Sequence, residues 1–283
     1  MAKQKKQDGY YRNEHCRIDA DTIHTLPLSS SRQRTKNYLS SRRFGDLAMT
    51  MKAPESLNAY DLITLGQLLQ HYQESPDKWE DAGEMKIDDT GAVRHLIRTN
   101  LDLAKMAKQR GLSSHKHNRK TIFESIYRWF QAELLYKYDG ESVIRTRYIF
   151  EFTEKIDEEG RFRDVKIIAN QNFFDLCLHE GLVFNWRRLA SYGEKFYSVQ
   201  LDAYLQANKI KINGGYAYRN VLREETLFKA LGLNNTNMKE WDKREKLKSA
   251  FNTIEKAGLP RYLYDRENRR WVRSSHKMGL ENK

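Results

Sequence analysis

Apolar residues recur at helical spacing in several stretches of the chain, separated by polar segments that carry turn and cap residues. Leu62, Leu65, Leu68, Leu69 and Tyr72 make the first stripe, with Asn58 and Asp61 placed to cap it, so order is expected from about Leu57 onward. A polar connector over 74–91 follows. Val93, His95 and Ile97 then alternate as in a short strand, and Thr99 or Asn100 can cap a helix carrying Leu101, Leu103, Ala104, Met106 and Ala107. Gly111 suits the left-handed turn that closes such a helix. A long helix is predicted over 114–136. Ile122, Ile126, Trp129 and Phe130 mark its buried stripe, while Ser114, His115, Lys116, Asn118, Arg119 and Lys120 crowd its first turns.

A short helix, a glycine turn and a second helix with a basic start is the sequence form of a helix-turn-helix. Two strand-like runs, 143–152 and 162–168, flank the turn residues Asp157, Glu158, Glu159 and Gly160 and would add a hairpin, making a winged helix. Residues 171–210 read as helical, with Phe173, Phe174, Leu176 and Cys177 in one apolar cluster and Phe196, Val199, Tyr204 and Leu205 in another. The order of elements then recurs. An offset of 121 residues carries Met106 onto Leu227, Gly111 and Leu112 onto Gly232 and Leu233, Ile126 onto Leu247, and Phe130 onto Phe251. A long helix to about Lys256 and a second hairpin, 262–264 with 270–272, complete the second copy. The expected fold class is α+β, mainly α. It comprises a basic, flexible N-terminal arm over 1–56, a first winged-helix domain with connecting helices over 57–210, and a second winged-helix domain over 211–283.

Composition narrows the function classes. The 283 residues include 50 Lys and Arg against 38 Asp and Glu, a formal net charge of +12, which points to a polyanionic partner without saying which one. No run approaches the length of a membrane span, and the basic start MAKQKKQDGYYRNEHC has no apolar run behind it, so neither membrane nor secretion is expected. Cys16 and Cys177 form no CxxC pair, which fits a reducing cytoplasm; Cys177, with apolar neighbours, reads as core. The arm carries Lys3, Lys5, Lys6, Arg12, Arg17, Arg32, Arg34, Lys36, Arg42 and Arg43, and serves either as a solubilising tail or as a tracker of DNA.

The candidate chemistry is that of duplex recognition. In the first unit Ser113, Ser114, Lys116, Asn118, Arg119 and Lys120 stand at the start of the long helix. Lys and Arg neutralise phosphates or reach guanine, Asn can pair with adenine, and serine caps leave helix N–H groups for a phosphate. In the second unit Asn237, Lys239, Lys243 and Lys246 are predicted to share an exposed face, with Glu240, Asp242 and Glu245 between them as helix salt-bridge partners. The hairpins add Arg161 and Arg163, then Arg266, Arg269, Arg270 and Arg273; such arginines touch backbone or minor groove, or simply protect strand edges. Trp129 and Trp241 read as packing anchors. No GxxxxGK[ST] occurs, the carboxylates show no metal-binding pattern, and no cofactor is expected. His115-Lys116-His117 has the spacing of a nuclease histidine pair, but a lysine stands between the histidines and the pair opens a predicted helix.

The chain resembles the plasmid replication initiator (Rep) family of two winged-helix domains. The resemblance rests on DLITLGQLL, LAKMAKQRGLSSHKHNRKTIFESIYRWF, the hairpin RTRYIFEF with RFRDVKII, the helix around FYSVQLDAYL, and the repeat ALGLNNTNMKEW with LKSAFNTIEKAGL, over about residues 57–275. It implies a non-enzymatic, cytoplasmic protein that binds tandem origin repeats, called iterons, in double-stranded DNA and promotes opening of an AT-rich region. It further implies recruitment of host initiator and helicase proteins, and a homodimer as one expected form. The long arm is less typical of the family. A transcriptional repressor of a mobile element would use the same surface at a promoter. A metal-dependent nickase would require His115 and His117 as ligands.

Overall fold

Asn58 starts the first helix. Its side chain accepts from the Tyr60 N–H at 3.0 Å, while the Asp61 carboxylate accepts from the Asn58 N–H at 2.9 Å, a reciprocal cap ahead of α1 (Ala59–Glu74). The structure, a computed structural model, describes residues 16–18, 36–44, 47–86, 93–138, 142–156, 158, 162–180, 182–212 and 215–274. It is a mixed α/β fold in which every strand pairing is antiparallel.

Order begins earlier than the sequence pattern suggests. β1 (Cys16–Ile18), β2 (Lys36–Phe44) and β3 (Leu47–Glu55) precede α1, so part of the stretch expected as an unstructured arm is strand. Met51 and Ala53 of β3 are core residues. The remaining arm basics, Lys3, Lys5, Lys6, Arg12, Arg32 and Arg34, lie outside the described residues. The expected connector likewise contains β4 (Glu80–Lys86), an exposed strand paired with β5 (Val93–Asp102).

The helix after β5 is capped by Asp102, whose side chain accepts from the Lys105 N–H at 2.9 Å, rather than by Thr99 or Asn100, which belong to the strand. α2 (Leu103–Gln109) ends in a turn with Gly111 at φ 73°, and α3 (Lys116–Gln131) follows. α3 stops five residues short of the expected end, at Ala132. The chain turns extended there into β6 (Glu133–Tyr138), which lies between β3 and β7 (Ser142–Arg147). The expected strand over 143–152 is really two. β7 completes the sheet β2-β3-β6-β7, and after buried Tyr148 the chain enters β8 (Ile149–Ile156) in another sheet, β4-β5-β9-β8, whose β9 is Phe162–Asn170.

Residues 171–210, expected as helix, are interrupted. α4 (Gln171–Glu180), α5 (Trp186–Ser191) and α6 (Phe196–Ala207) are helical, but β10 (Leu182–Phe184) pairs with β1 between them. α6 is buried along nearly its whole length and packs on α1, α5 and the last helix, so one hydrophobic core runs through the chain. Beyond it come the small hairpin β11 (Ile210–Ile212) and β12 (Gly215–Ala217), then β13 (Val221–Arg223), α7 (Glu224–Ala230), α8 (Glu240–Lys256), β14 (Tyr262–Asp265) and β15 (Arg270–Arg273).

Two units share one topology. The first runs α1, β5, α2, turn, α3, β8, β9, with β4 inserted before β5 and β6 and β7 before β8, and the second α6, β13, α7, turn, α8, β14, β15, with β11 and β12 inserted before β13. In both, the first strand pairs with the last and the last with the one before it, giving β5-β9-β8 and β13-β15-β14. The 121-residue offset carries Leu103–Gln109 onto Glu224–Ala230 and one left-handed glycine, Gly111, onto the other, Gly232 at φ 67°. α8 begins three residues later than that offset would place it.

Candidate nucleic-acid interface

The α2–α3 turn of the first unit is held from beneath. Arg110 at the end of α2 donates to Gln67 Oε1 at 2.6 Å and Thr64 Oγ1 at 2.7 Å, both on α1. Asp61 accepts from Arg128 at 3.0 Å and from the Ser125 hydroxyl at 2.7 Å, fixing α3 against α1 through a buried ion pair. On that support the start of α3 faces solvent. Ser113, Ser114, His115, Lys116, His117 and Lys120 are exposed, with no carboxylate between residues 113 and 120. Its N-cap is His115, which makes no side-chain bond, so Ser114 does not cap the helix as expected.

The other candidates there are more constrained. Asn118 donates to the Ser113 carbonyl at 3.0 Å and hydroxyl at 3.1 Å, so its amide ties the turn to the helix. Arg119 is half-buried, with Nε lacking a hydrogen-bond partner. Lys120 lies 3.8 Å from Glu124 one turn on. Arg163 is exposed on β9, and Arg161 lies outside the described residues.

The second unit builds a different surface. A 780 Å³ concavity is lined by the end of β13, α7, the turn residue Asn234, the first turns of α8 and the β14–β15 tip; among its residues are Arg223, Phe228, Glu240, Lys243, Asn268, Arg269 and Arg270. Its floor is Glu224, 1% exposed. That carboxylate accepts from Arg244 Nε at 2.8 Å, Arg269 Nε at 3.0 Å and the Tyr264 hydroxyl. Burial alone would raise the Glu224 carboxyl, yet donation by Arg244, Tyr264 and Arg269 takes it below the ordinary carboxylate value. Arg269, at φ 47° in the left-handed region, is thereby fixed at the hairpin tip against α7 and α8.

Three candidates of this unit line the concavity, and a fourth lies in the hairpin turn beside it. Lys243 sits 5.8 Å from the Phe228 ring, Arg269 bridges Glu224 and Glu240, Arg270 donates to Asp265 at 2.9 Å, and Arg266 is exposed at the tip. Two do not share the expected helical face: Asn237 precedes α8 and Lys239 is its N-cap. Arg273 lies at the base of the hairpin in which it was expected, where its charge acts on Tyr218 and Tyr262. Lys246 is exposed on α8, along a neighbouring groove with Thr236 and Met238. Arg223, Asn234, Arg244 and Asn268 were not among the expected residues. Only Arg244 carried a signal, the Glu-to-Arg spacing of four from Glu240, whose pair measures 2.9 Å.

Trp129 is a packing anchor as expected, but Trp241 is not: it is 61% exposed on the first turn of α8. Cys177 is buried in the core. Among the described residues no three His, Cys, Asp or Glu side chains are placed to hold a metal ion, and no helix is long and apolar enough to cross a membrane.

The arrangement defines a class: two α/β units in tandem, each presenting a short helix, a tight turn and a long helix beside an antiparallel sheet, four-stranded in the first and three-stranded in the second. Two solved structures give the fold a closer likeness. The crystal structure of RctB domains 2 and 3 aligns with a TM-score of 0.56 at 11% identity, covering 92% of this chain and 99% of that one. The selenomethionine form of the same two domains aligns at 0.55 and 12%, covering 84% and 86%. At such identity the likeness is one of fold. No family model and no curated protein sequence matches the chain.

Proposed function

We propose that this chain is a sequence-specific double-stranded DNA-binding protein that initiates replication of a plasmid or integrative mobile element. The observation that carries the reading is the pair of units with one topology, whose antiparallel tip-forming strands and solvent-facing long helices are what a winged helix needs to enter a major groove. The likeness to RctB, a replication initiator, supports the same reading. Two such readers suit a long site on one face of the duplex, with half-sites about 34 Å apart. α3 brings Lys116, Arg119 and Lys120 to the phosphates, and α8 with its hairpin brings Lys243, Arg266, Arg269 and Arg270.

In this reading the protein is not an enzyme and takes no cofactor. It acts in the cytoplasm by binding tandem repeats, distorting the adjacent duplex and recruiting host initiator and helicase proteins, as a monomer or a homodimer. Footprinting across the DNA beside its own gene tests it. Several directly repeated protected sites next to an AT-rich tract are expected; one palindrome at a promoter would instead make it a repressor. Divalent-metal-dependent nicking lost in His117→Ala would overturn the non-enzymatic part.

A further inference from the structure

The concavity of the second unit sets an exposed carboxylate, Glu240, against Arg269. Glu224, buried, grips one edge of the Arg269 guanidinium, with Nε at 3.0 Å and Nη2 at 2.9 Å. The outward side of Nη2 is met by Glu240, both of whose oxygens lie close, at 3.2 and 3.1 Å. Glu240 also accepts from Arg244 at 2.9 Å. The two contacts of Arg269 differ in kind. Glu224 is 1% exposed and tied to three donors, whereas Glu240 is 59% exposed and shares its proton donor over two long, bifurcated distances.

We propose that Glu240 is a built-in stand-in for a DNA phosphate: it occupies the outward face of Arg269 in the free protein, and a phosphodiester of duplex DNA displaces it. The proposal rests on the duplex-binding reading above. Glu224 keeps Arg269 in place whether or not Glu240 is engaged, so the guanidinium is already aimed when the phosphate arrives. Glu240 need not lose all its partners on displacement, because Arg244 still holds it. Of the charged residues that line the concavity, Arg223, Lys243, Arg269 and Arg270 outnumber Glu224, Glu225 and Glu240 by one, and that excess draws the phosphate in. The exchange lowers affinity for DNA of any sequence, since each phosphate seated there must replace an existing partner.

Anisotropy titrations of the full chain with a labelled 30-bp duplex of arbitrary sequence test this. Glu240→Gln keeps the side chain's size and its bond to Arg244, and thermal melting checks that it folds. It should bind about fivefold more tightly than the native chain at 0.1 M salt, the factor a half-exposed ion pair supports. Glu225 lines the same concavity and is exposed, so Glu225→Gln removes an equal charge and should stay within about twofold. Adding Arg269→Ala to Glu240→Gln should abolish the gain. Equal tightening by both glutamine variants, or a gain that survives Arg269→Ala, would overturn the proposal while leaving the duplex-binding reading intact. Failure of the native chain and all variants to bind would overturn both.

Discussion

Gly111 and Gly232 stand 121 residues apart and hold the same left-handed turn, φ 73° and 67°, between the short and long helices of their respective units. Only a residue without a Cβ adopts that region at no steric penalty. At Gly111 an added Cβ would meet nothing within 4 Å, so backbone conformation alone decides the effect. Gly111→Ala should therefore cost about 1 kcal/mol, read as a lower urea midpoint with an unchanged slope. A neutral effect would mean that the turn relaxes out of the left-handed region.

Gly66 poses the opposite problem. It lies within α1, where glycine is helically acceptable, but an added Cβ would come 2.7 Å from the Trp186 Cβ of α5. Trp186 cannot simply swing aside, because its indole N–H donates to Gln70 and it is 1% exposed. Gly66→Ala should cost about 2 kcal/mol through overpacking, in spite of alanine's better helix propensity. A more stable variant would show that α1 and α5 can part without loss.

Stability should fall in two steps as the pH is lowered. His71 is held below its ordinary value of 6.5 by burial and by the charges of Lys78 and Lys105, and its Nδ1 accepts from the Trp79 indole at 2.9 Å. Because the folded chain favours neutral His71, this contribution is complete above pH 6.5 and lost as pH falls through the lower folded value. Glu224, depressed below 4.5, keeps its contribution above that pH and loses it further down. Melting temperatures of His71→Asn, which retains an acceptor but cannot take up a proton, should be flatter than native as the pH falls below 6.5. Parallel curves would remove His71 from the first step.

How much of this was legible beforehand depends on which face of an element is buried. The stripes of α1, α3 and α8 could be read because each buries one side against the core: Leu62 with Leu65, Ile122 with Ile126, Leu247 with Phe251. β4 was unreadable. EDAGEMK is exposed or half-exposed at every position, so no alternation marks it, and only pairing with β5 makes it a strand. β3 does alternate, with Met49, Met51 and Ala53 two apart, but it sits in a basic stretch whose composition suggests a tail. The end of α3 was hidden because Leu134 continues the helical stripe. No glycine or proline stops the helix there; the place of β6 between β3 and β7 does. At the interface, sequence located the basic start of α3, but could not reveal that Glu224 gathers Arg244 and Arg269, residues 20 and 45 positions away.

The two long helices differ in charge, and this should divide their work. The start of α3 is basic, with no carboxylate from residue 113 to 120, whereas the first turns of α8 interleave Lys239, Lys243 and Lys246 with Glu240, Asp242 and Glu245. Lys116 is exposed and makes no ion pair among the described residues, so it is free for a phosphate. Lys116→Ala should weaken binding to all duplexes alike and reduce the salt slope by about one. An unchanged slope would place the start of α3 away from the backbone.

Trp241 offers a direct view of the other helix. Of the five tryptophans, Trp79, Trp129, Trp186 and Trp271 are at most 8% exposed, while Trp241 is 61% exposed. Iodide, which cannot enter the core, should therefore quench one emitting population, and Trp241→Phe should remove that population without altering the fold. If α8 lies in the major groove, a saturating duplex covers Trp241, where its ring can meet thymine methyl groups, and the quenching should fall to the level of the variant. Emission that stays fully open to iodide with DNA bound would put the first turn of α8 outside the duplex contact, and leave Trp241 as a surface for a protein partner instead.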